Sequence, residues 1–276
     1  MSASQFLRDR RNRIQRAVLT LLGGLLVAFL ALPLLALVTT ASWRDFSAGL
    51  QHPLVWPALR ISLLTTTLSL ALVVGLGTPL AWKLAQGSSR LAGWLETLLQ
   101  LPVVVPPAVA GLAMLLAFGR RGLLSGYLYP SGWSIAFTTA AVVMAEVFVS
   151  APFFVNAATS AFRRIDPTLL LVARTCGAAP WRVFLRVALP LAAPGLIAGA
   201  AMSWARALGE FGATLMFAGN LTGQTQTLPL AIYAAFESDI RAAQALALVL
   251  VAVALGLLLA VRASSKSSGG GGLLGA

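Results

Sequence analysis

Six apolar runs decide what this chain can fold into. Each is roughly 20 residues or longer, the length at which one helix crosses the hydrocarbon core of a bilayer. They extend from Ala17 to Thr40, Leu59 to Trp82, Leu98 to Phe118, Ile135 to Val155, Pro194 to Ala218 and Ala242 to Val261. With 58% hydrophobic and 10% charged residues in 276 positions, the composition lies far from that of a soluble domain. The expected fold class is an all-α polytopic membrane protein with six transmembrane helices. The formal charge of +12 does not point to nucleic acid, because the basic residues flank the apolar runs instead of forming a patch interleaved with aromatics.

The first run follows Arg8, Arg10, Arg11, Arg13 and Arg16 and is too long for the apolar core of a signal peptide, so it reads as an anchoring span. Six spans put both termini on one side. If that side is cytoplasmic, the inner segments hold these arginines, then Lys83 and Arg90, then Arg163, Arg164, Arg174, Arg182 and Arg186, and finally Arg262 and Lys266. The outer segments hold only Arg44, Arg60, Arg120, Arg121 and Arg241, which favours N-in, C-in. Trp43, Trp56 and Trp133 would then mark the outer interface, Trp82 and Trp94 the inner one. One cysteine, Cys176, and one histidine, His52, give no metal site. The sequence lacks G-x-x-x-x-G-K-[ST], H-E-x-x-H, G-x-S-x-G and any clustered acidic set, so no catalytic residues are assigned and no ATP cradle is present. A membrane-embedded enzyme is a remote alternative on these grounds. A channel or secondary carrier is another, weakened by the lack of an internal repeat.

The most informative segment is the loop from Ala161 to Pro194, between the fourth and fifth spans. Asp166 reads as an N-cap, Pro167 as a first helical residue and Gly177 as a stop, which predicts a short helix from Pro167 to Cys176. Leu169, Val172, Ala173 and Cys176 fall on one face of it, with Arg174 elsewhere. Pro180 is expected to open a second short helix, with Arg182 and Arg186 on one face and Val183, Phe184 and Val187 on another. Such helices lie against anionic lipid or dock into a partner's groove, and periodicity leaves both open. Pro102, Pro106 and Pro107 in the third span require a kink or break, for packing or for gating.

Three ionisable residues fall inside spans, Glu146, Arg206 and Glu210, and each needs a partner in the bundle interior. Arg206 and Glu210, four apart, are placed to pair, either to neutralise each other and fix packing or to leave Arg206 attracting a passing anion. For Glu146 the sequence leaves open a protonated acid or a partner on another helix. Trp204 reads as packing. Ser203, Gly209, Gly212 and Thr214 suit either a route lining or a close helix approach.

Gly177, nine intervening residues, then Val187-Ala188-Leu189-Pro190 resembles the Gly-x9-Ile-x-Leu-Pro coupling loop in permeases of ATP-binding-cassette importers. The Glu-Ala-Ala that usually opens that loop would fall on Leu171, Val172 and Ala173, so its glutamate, and any ion pair it makes, is not carried over. Ala205 to Asn220, ARALGEFGATLMFAGN, with Gln226-Thr227-Leu228-Pro229, LPVVVPPAVAGL and the Gly119-Arg120-Arg121-Gly122 turn, is similar to molybdate and sulfate permeases in particular. The resemblance runs from about Leu59 to Arg262. It divides the chain into residues 1–58 (basic N-terminus, first span, outer loop), a permease core at 59–262 and a flexible Gly/Ser-rich tail at 263–276.

What the resemblance implies is a permease subunit in the inner membrane of a bacterium or archaeon that carries a tetrahedral oxyanion, molybdate or tungstate, from an extracytoplasmic binding protein to the cytoplasm. A sulfate or thiosulfate permease is the alternative. ATP and Mg would be bound by a dimer of partner ATPases, with no cofactor in this chain. A second permease copy, as a homodimer, and membrane lipid complete the partners. Asp166, Pro167, Leu169, Val172, Ala173, Arg174, Gly177, Arg182, Leu189 and Pro190 would form the ATPase-coupling loop. Pro106, Pro107, Ser203, Arg206, Glu210, Gly212 and Thr214 are the candidates for route and gate.

Overall fold

The computed structural model describes residues 3–87, 89–128 and 134–269, with side chains described from 15 to 260 except at 45. Trp133, expected at the outer interface, lies outside the described residues. All regular elements among them are helices: α1 Ala3–Thr39, α2 Trp43–Leu50, α3 Val55–Gln86, α4 Arg90–Val104, α5 Pro107–Phe118, α6 Ser125–Leu128, α7 Thr139–Arg163, α8 Pro167–Thr175, α9 Pro180–Val183, a π turn at Phe184–Ala188, α10 Leu189–Leu208, α11 Gly212–Ala218, α12 Leu228–Ser238 and α13 Ile240–Gly269. Among the described residues five helices are long and apolar enough to cross a membrane: α1 from Gln15, α3, α7, the continuous stretch Pro180–Leu208, and α13. The pair α4 and α5, bent by 114°, makes a sixth if counted as one span.

The expected spans are recovered with four physical differences. The third is broken: Val105 and Pro106 are extended, and α5 starts afresh with Pro107 at its first position. Two consecutive residues without backbone N–H cannot continue the ladder, and the residue before a proline is driven out of helical geometry. The fifth is broken too, since α10 stops at Leu208 and α11 begins at Gly212. The second loop helix expected at Pro180 is not separate, because α9, the π turn and α10 form one 29-residue helix. The Leu189 N–H reaches back five residues to the Phe184 carbonyl. A wider turn there relieves the clash between the Pro190 ring and the preceding turn, a usual cause of a π bulge. Finally, the last span continues past Val261 to Gly269.

The central helix is α7, with α3 and α10 packed along it. Between membrane helices the hydrophobic effect is weak, so close approach of small residues supplies the packing. A Cβ at Gly195 would sit 2.5 Å from the Cβ of Ala161, and one at Gly199 would sit 2.7 Å from that of Ala157. One turn on, the Ser203 hydroxyl donates to the Ser150 carbonyl at 3.1 Å. By contrast α1 buries none of its apolar span within this chain, and Gln244 of α13 ties its end through the Leu37 carbonyl and the Thr40 hydroxyl.

Candidate coupling face and membrane interior

At one end of the bundle α8 is a short helix capped at both ends. The Asp166 carboxylate accepts the Thr168 N–H at 2.8 Å, which caps the helix and holds this carboxyl below the usual aspartate range. Pro167 occupies the first helical position. At the far end Ala178 N–H bonds the Ala173 carbonyl and Gly177 N–H the Arg174 carbonyl, the two hydrogen bonds of a Schellman motif. That motif needs a left-handed residue, and Gly177 has φ +82°.

One side of α8 rests on the bundle. Leu170 packs on the buried cluster that contains Phe162, Ile165 and Ala188. Its floor is an aromatic triad joining three spans: Trp82 of α3 stands 5.2 Å from Phe162 of α7 and 5.5 Å from Phe184 of the π turn. The other side is bare, with Leu169 49%, Leu171 61% and Val172 54% exposed. Arg174, Cys176 and Arg182 are exposed as well, and Ala173 is half-buried. The bare apolar surface therefore holds Leu169 and Val172 as expected, gains Leu171, and gives up part of Ala173. Clefts of about 430 and 600 Å³ flank the helix, the first beside Arg164 and Leu169, the second beside Gln86 and Arg174. Leu189 and Pro190 lie in the span that follows and not in the loop; Leu189 packs on the same cluster as Leu170.

Inside the bundle the two breaks meet. A Cβ on Gly212, at the start of α11, would lie 2.9 Å from the Cβ of Pro107, at the start of α5. Glu210, 2% exposed, sits at the break and does two things. One oxygen takes the Arg206 guanidinium at 3.0 Å and the other accepts the Ala213 N–H at 2.8 Å, so the pair both neutralises itself and starts α11. Thr214 is fully buried, and its hydroxyl has no hydrogen-bond partner among the described residues. Thus Pro106, Pro107, Arg206, Glu210 and Gly212 converge, while Ser203 belongs to the α7–α10 crossing. Glu146 finds its partners on α3, where the Thr65 and Ser69 hydroxyls each lie 2.8 Å from one of its two oxygens.

Sequence reasoning missed the aromatic triad and two polar links between α4 and α7. These are an ion pair of Glu96 with Arg163 and a 3.0 Å hydrogen bond from Gln100 to Asn156. The one available signal was that Gln100 is a polar residue inside the third run; Asn156 falls one position beyond the expected end of the fourth.

A helical bundle of membrane length, with interrupted helices inside and a capped, exposed helix at one end, has the build of a membrane transport subunit. The chain belongs to the family described as binding-protein-dependent transport system inner membrane component, whose model matches residues 74–265. It is 46% identical over 220 residues to the molybdenum transport system permease protein ModB of Mycobacterium tuberculosis, covering 80% of this chain and 83% of that one. To the protein of the same name in Escherichia coli it is 38% identical over 184 residues, 66% of this chain and 80% of the other. Among solved structures, a bacterial alginate ABC transporter in complex with an alginate pentasaccharide-bound periplasmic protein has a chain of the same fold. The TM-score is 0.74 and the identity 18%, covering 94% of this chain and 96% of that one. A chain of the MetNI methionine ABC transporter in an inward-facing conformation gives 0.60 at 17% identity, over 78% and 95%.

Proposed function

We propose that this chain is the permease subunit of an ATP-driven importer that passes molybdate or tungstate from a binding protein into the cytoplasm. The cargo reading rests on the likeness to the molybdenum permeases. One structural observation carries the coupling: a helix capped at both ends with Leu169, Leu171 and Val172 left bare by the described residues. Exposed to water such a surface is an aggregation hazard, so it is a docking knob for a cytoplasmic ATPase. Asp166, Pro167 and Gly177 fix its shape, and Arg174 and Arg182 flank it with charge.

Closure of the ATPase dimer on ATP would carry two copies of α8 together. Because Leu170 rests on the cluster around Trp82, Phe162 and Phe184, the displacement reaches α3, α7 and Pro180–Leu208 at once. The breaks at Pro106–Pro107 and at Glu210–Gly212 are where the inner ends of α5 and α11 can re-aim, with Arg206 and Glu210 as the neutral pin. Thr214 offers a hydroxyl beside it. Outward and inward forms are then two states biased by the ATPase and the binding protein. A second identical permease completes the route, and both termini are cytoplasmic.

Two measurements test this reading. In intact cells an impermeant thiol reagent should label Thr222→Cys and leave Ser267→Cys untouched, in a Cys176→Ser background; the reverse pattern overturns the orientation. In an uptake assay, accumulation of radioactive molybdate should be suppressed by excess tungstate and little affected by equal sulfate. Equal competition by sulfate would move the cargo reading to sulfate.

A further inference from the structure

The seam between α4 and α7 is polar where membrane helices are ordinarily apolar. The two helices run antiparallel there, for as α4 passes from Glu96 to Gln100, its partners on α7 go from Arg163 back to Asn156. Glu96 and Gln100 are one turn apart on α4; Asn156, Ser160 and Arg163 follow each other on one face of α7. Gln100, Asn156, Ser160 and Arg163 are all exposed. Asn156 lies seven residues inside the end of α7, about 10 Å of helix rise.

The Gln100–Asn156 bond uses one amide hydrogen and one carbonyl, leaving the Asn156 NH2 and the second Gln100 hydrogen without a partner among the described residues. Amide hydrogens facing hydrocarbon at that depth would be left unsatisfied, which is strongly unfavourable. Farther along the same seam the character changes. Leu98, Leu99, Pro102, Val147, Phe148 and Pro152 line an apolar groove of about 330 Å³. A polar strip opening at the cytoplasmic end of the bundle is suited to water and not to lipid, since polar side chains at membrane depth are tolerated where they line an aqueous cavity or are covered by protein.

We propose that Gln100 and Asn156 line the inner half of the oxyanion route, where their uncharged amide N–H groups stand in for part of the anion's hydration shell. This rests on the importer reading and adds the residues that touch the cargo on its way inward. Neutral donors suit that task. A fixed cation would hold a divalent oxyanion, whereas amides favour its entry and still let it leave. At the mouth, Glu96 neutralises Arg163 for the same reason.

The experiment uses the whole transporter with its ATPase and binding protein, the permease carrying Cys176→Ser. Asn156→Cys should react from the cytoplasmic side with a small, charged, membrane-impermeant thiosulfonate in nucleotide-free inside-out vesicles. Phe148→Cys, in the apolar groove, should not. In uptake assays Asn156→Asp, nearly isosteric but anionic, should lower molybdate import by about tenfold, the rate effect of roughly 1.4 kcal/mol of like-charge opposition. Binding-protein-stimulated ATP hydrolysis should persist, and Asn156→Gln should restore import. The proposal is overturned if Asn156→Cys reacts only with a lipid-soluble maleimide, which places it against lipid, or with neither reagent, which places it in a protein interface. It is also overturned if Asn156→Asp imports normally. Failure of the unaltered transporter to import would instead count against the importer reading, and the labelling result stands apart from it.

Discussion

Leu169→Glu is expected to strip the ATPase from the purified complex while leaving the permease in the membrane. Leu169 is half exposed on a helix whose own bundle cannot cover it. A carboxylate pressed into an apolar protein groove loses its hydration with no partner in return, at a cost of several kcal/mol, or more than a hundredfold in affinity. Leu169→Ala removes only the side chain and should weaken association by about tenfold, in the ordinary range for one interface residue. Gly177→Val should act on the same contact from a distance. A Cβ at 177 meets nothing within 4 Å, so its effect comes from the φ of +82° alone, which a β-branched residue resists. Co-purification on the permease tag reads all three. Retention of the ATPase by Leu169→Glu would mean that lipid or another surface covers α8.

Arg206→Ala should be the most destabilising single change in the interior. It leaves the Glu210 carboxylate, with a side chain 1% accessible, without its cation. Breaking a buried pair from one side costs about 3 to 5 kcal/mol, and the low end applies here because the guanidinium keeps 29% of its accessibility. At roughly 2 to 4 °C per kcal/mol for a chain of this size, Tm in detergent should fall by about 6 to 12 °C. The double change with Glu210→Gln should recover most of that loss, because a glutamine oxygen can still accept the Ala213 N–H. The double change with Glu210→Ala should recover less, by about 1 kcal/mol, having also lost the start of α11. Strict additivity in either cycle would show that the two residues do not pair.

What the sequence made legible follows from the range of each signal. Spans declare themselves through local composition, and α8 declares itself through its own cap, its proline and its stop, so both were readable without knowing what lies nearby. The Arg206–Glu210 pair was readable because its members share a helix turn. The Pro180 helix was misjudged because a proline followed by a periodic pattern looks the same whether the helix stops or widens into a π turn. Only the backbone, with Leu189 N–H reaching the Phe184 carbonyl, tells the two apart. The end of the fifth span was hidden for a similar reason: LGEFGAT is apolar enough to pass as one helix, although Glu210 restarts it. Contacts between distant segments had no local signature. Trp82, Phe162 and Phe184 come from three different helices, and Gln100 meets Asn156 across 56 positions. Glu146 could be seen to need a partner, but nothing in the sequence identified Thr65 and Ser69.

Transport driven by a partner's ATP hydrolysis is tested most directly by reconstitution. The permease, its ATPase and the binding protein are placed in liposomes with molybdate and the binding protein on one side and ATP on the other, and accumulation of molybdate against its gradient is measured. The expected result is accumulation that requires ATP, the ATPase and the binding protein together, and that disappears with Leu169→Glu. Molybdate flux through the permease alone, down its gradient and indifferent to ATP, would contradict it and make the chain a channel or a carrier.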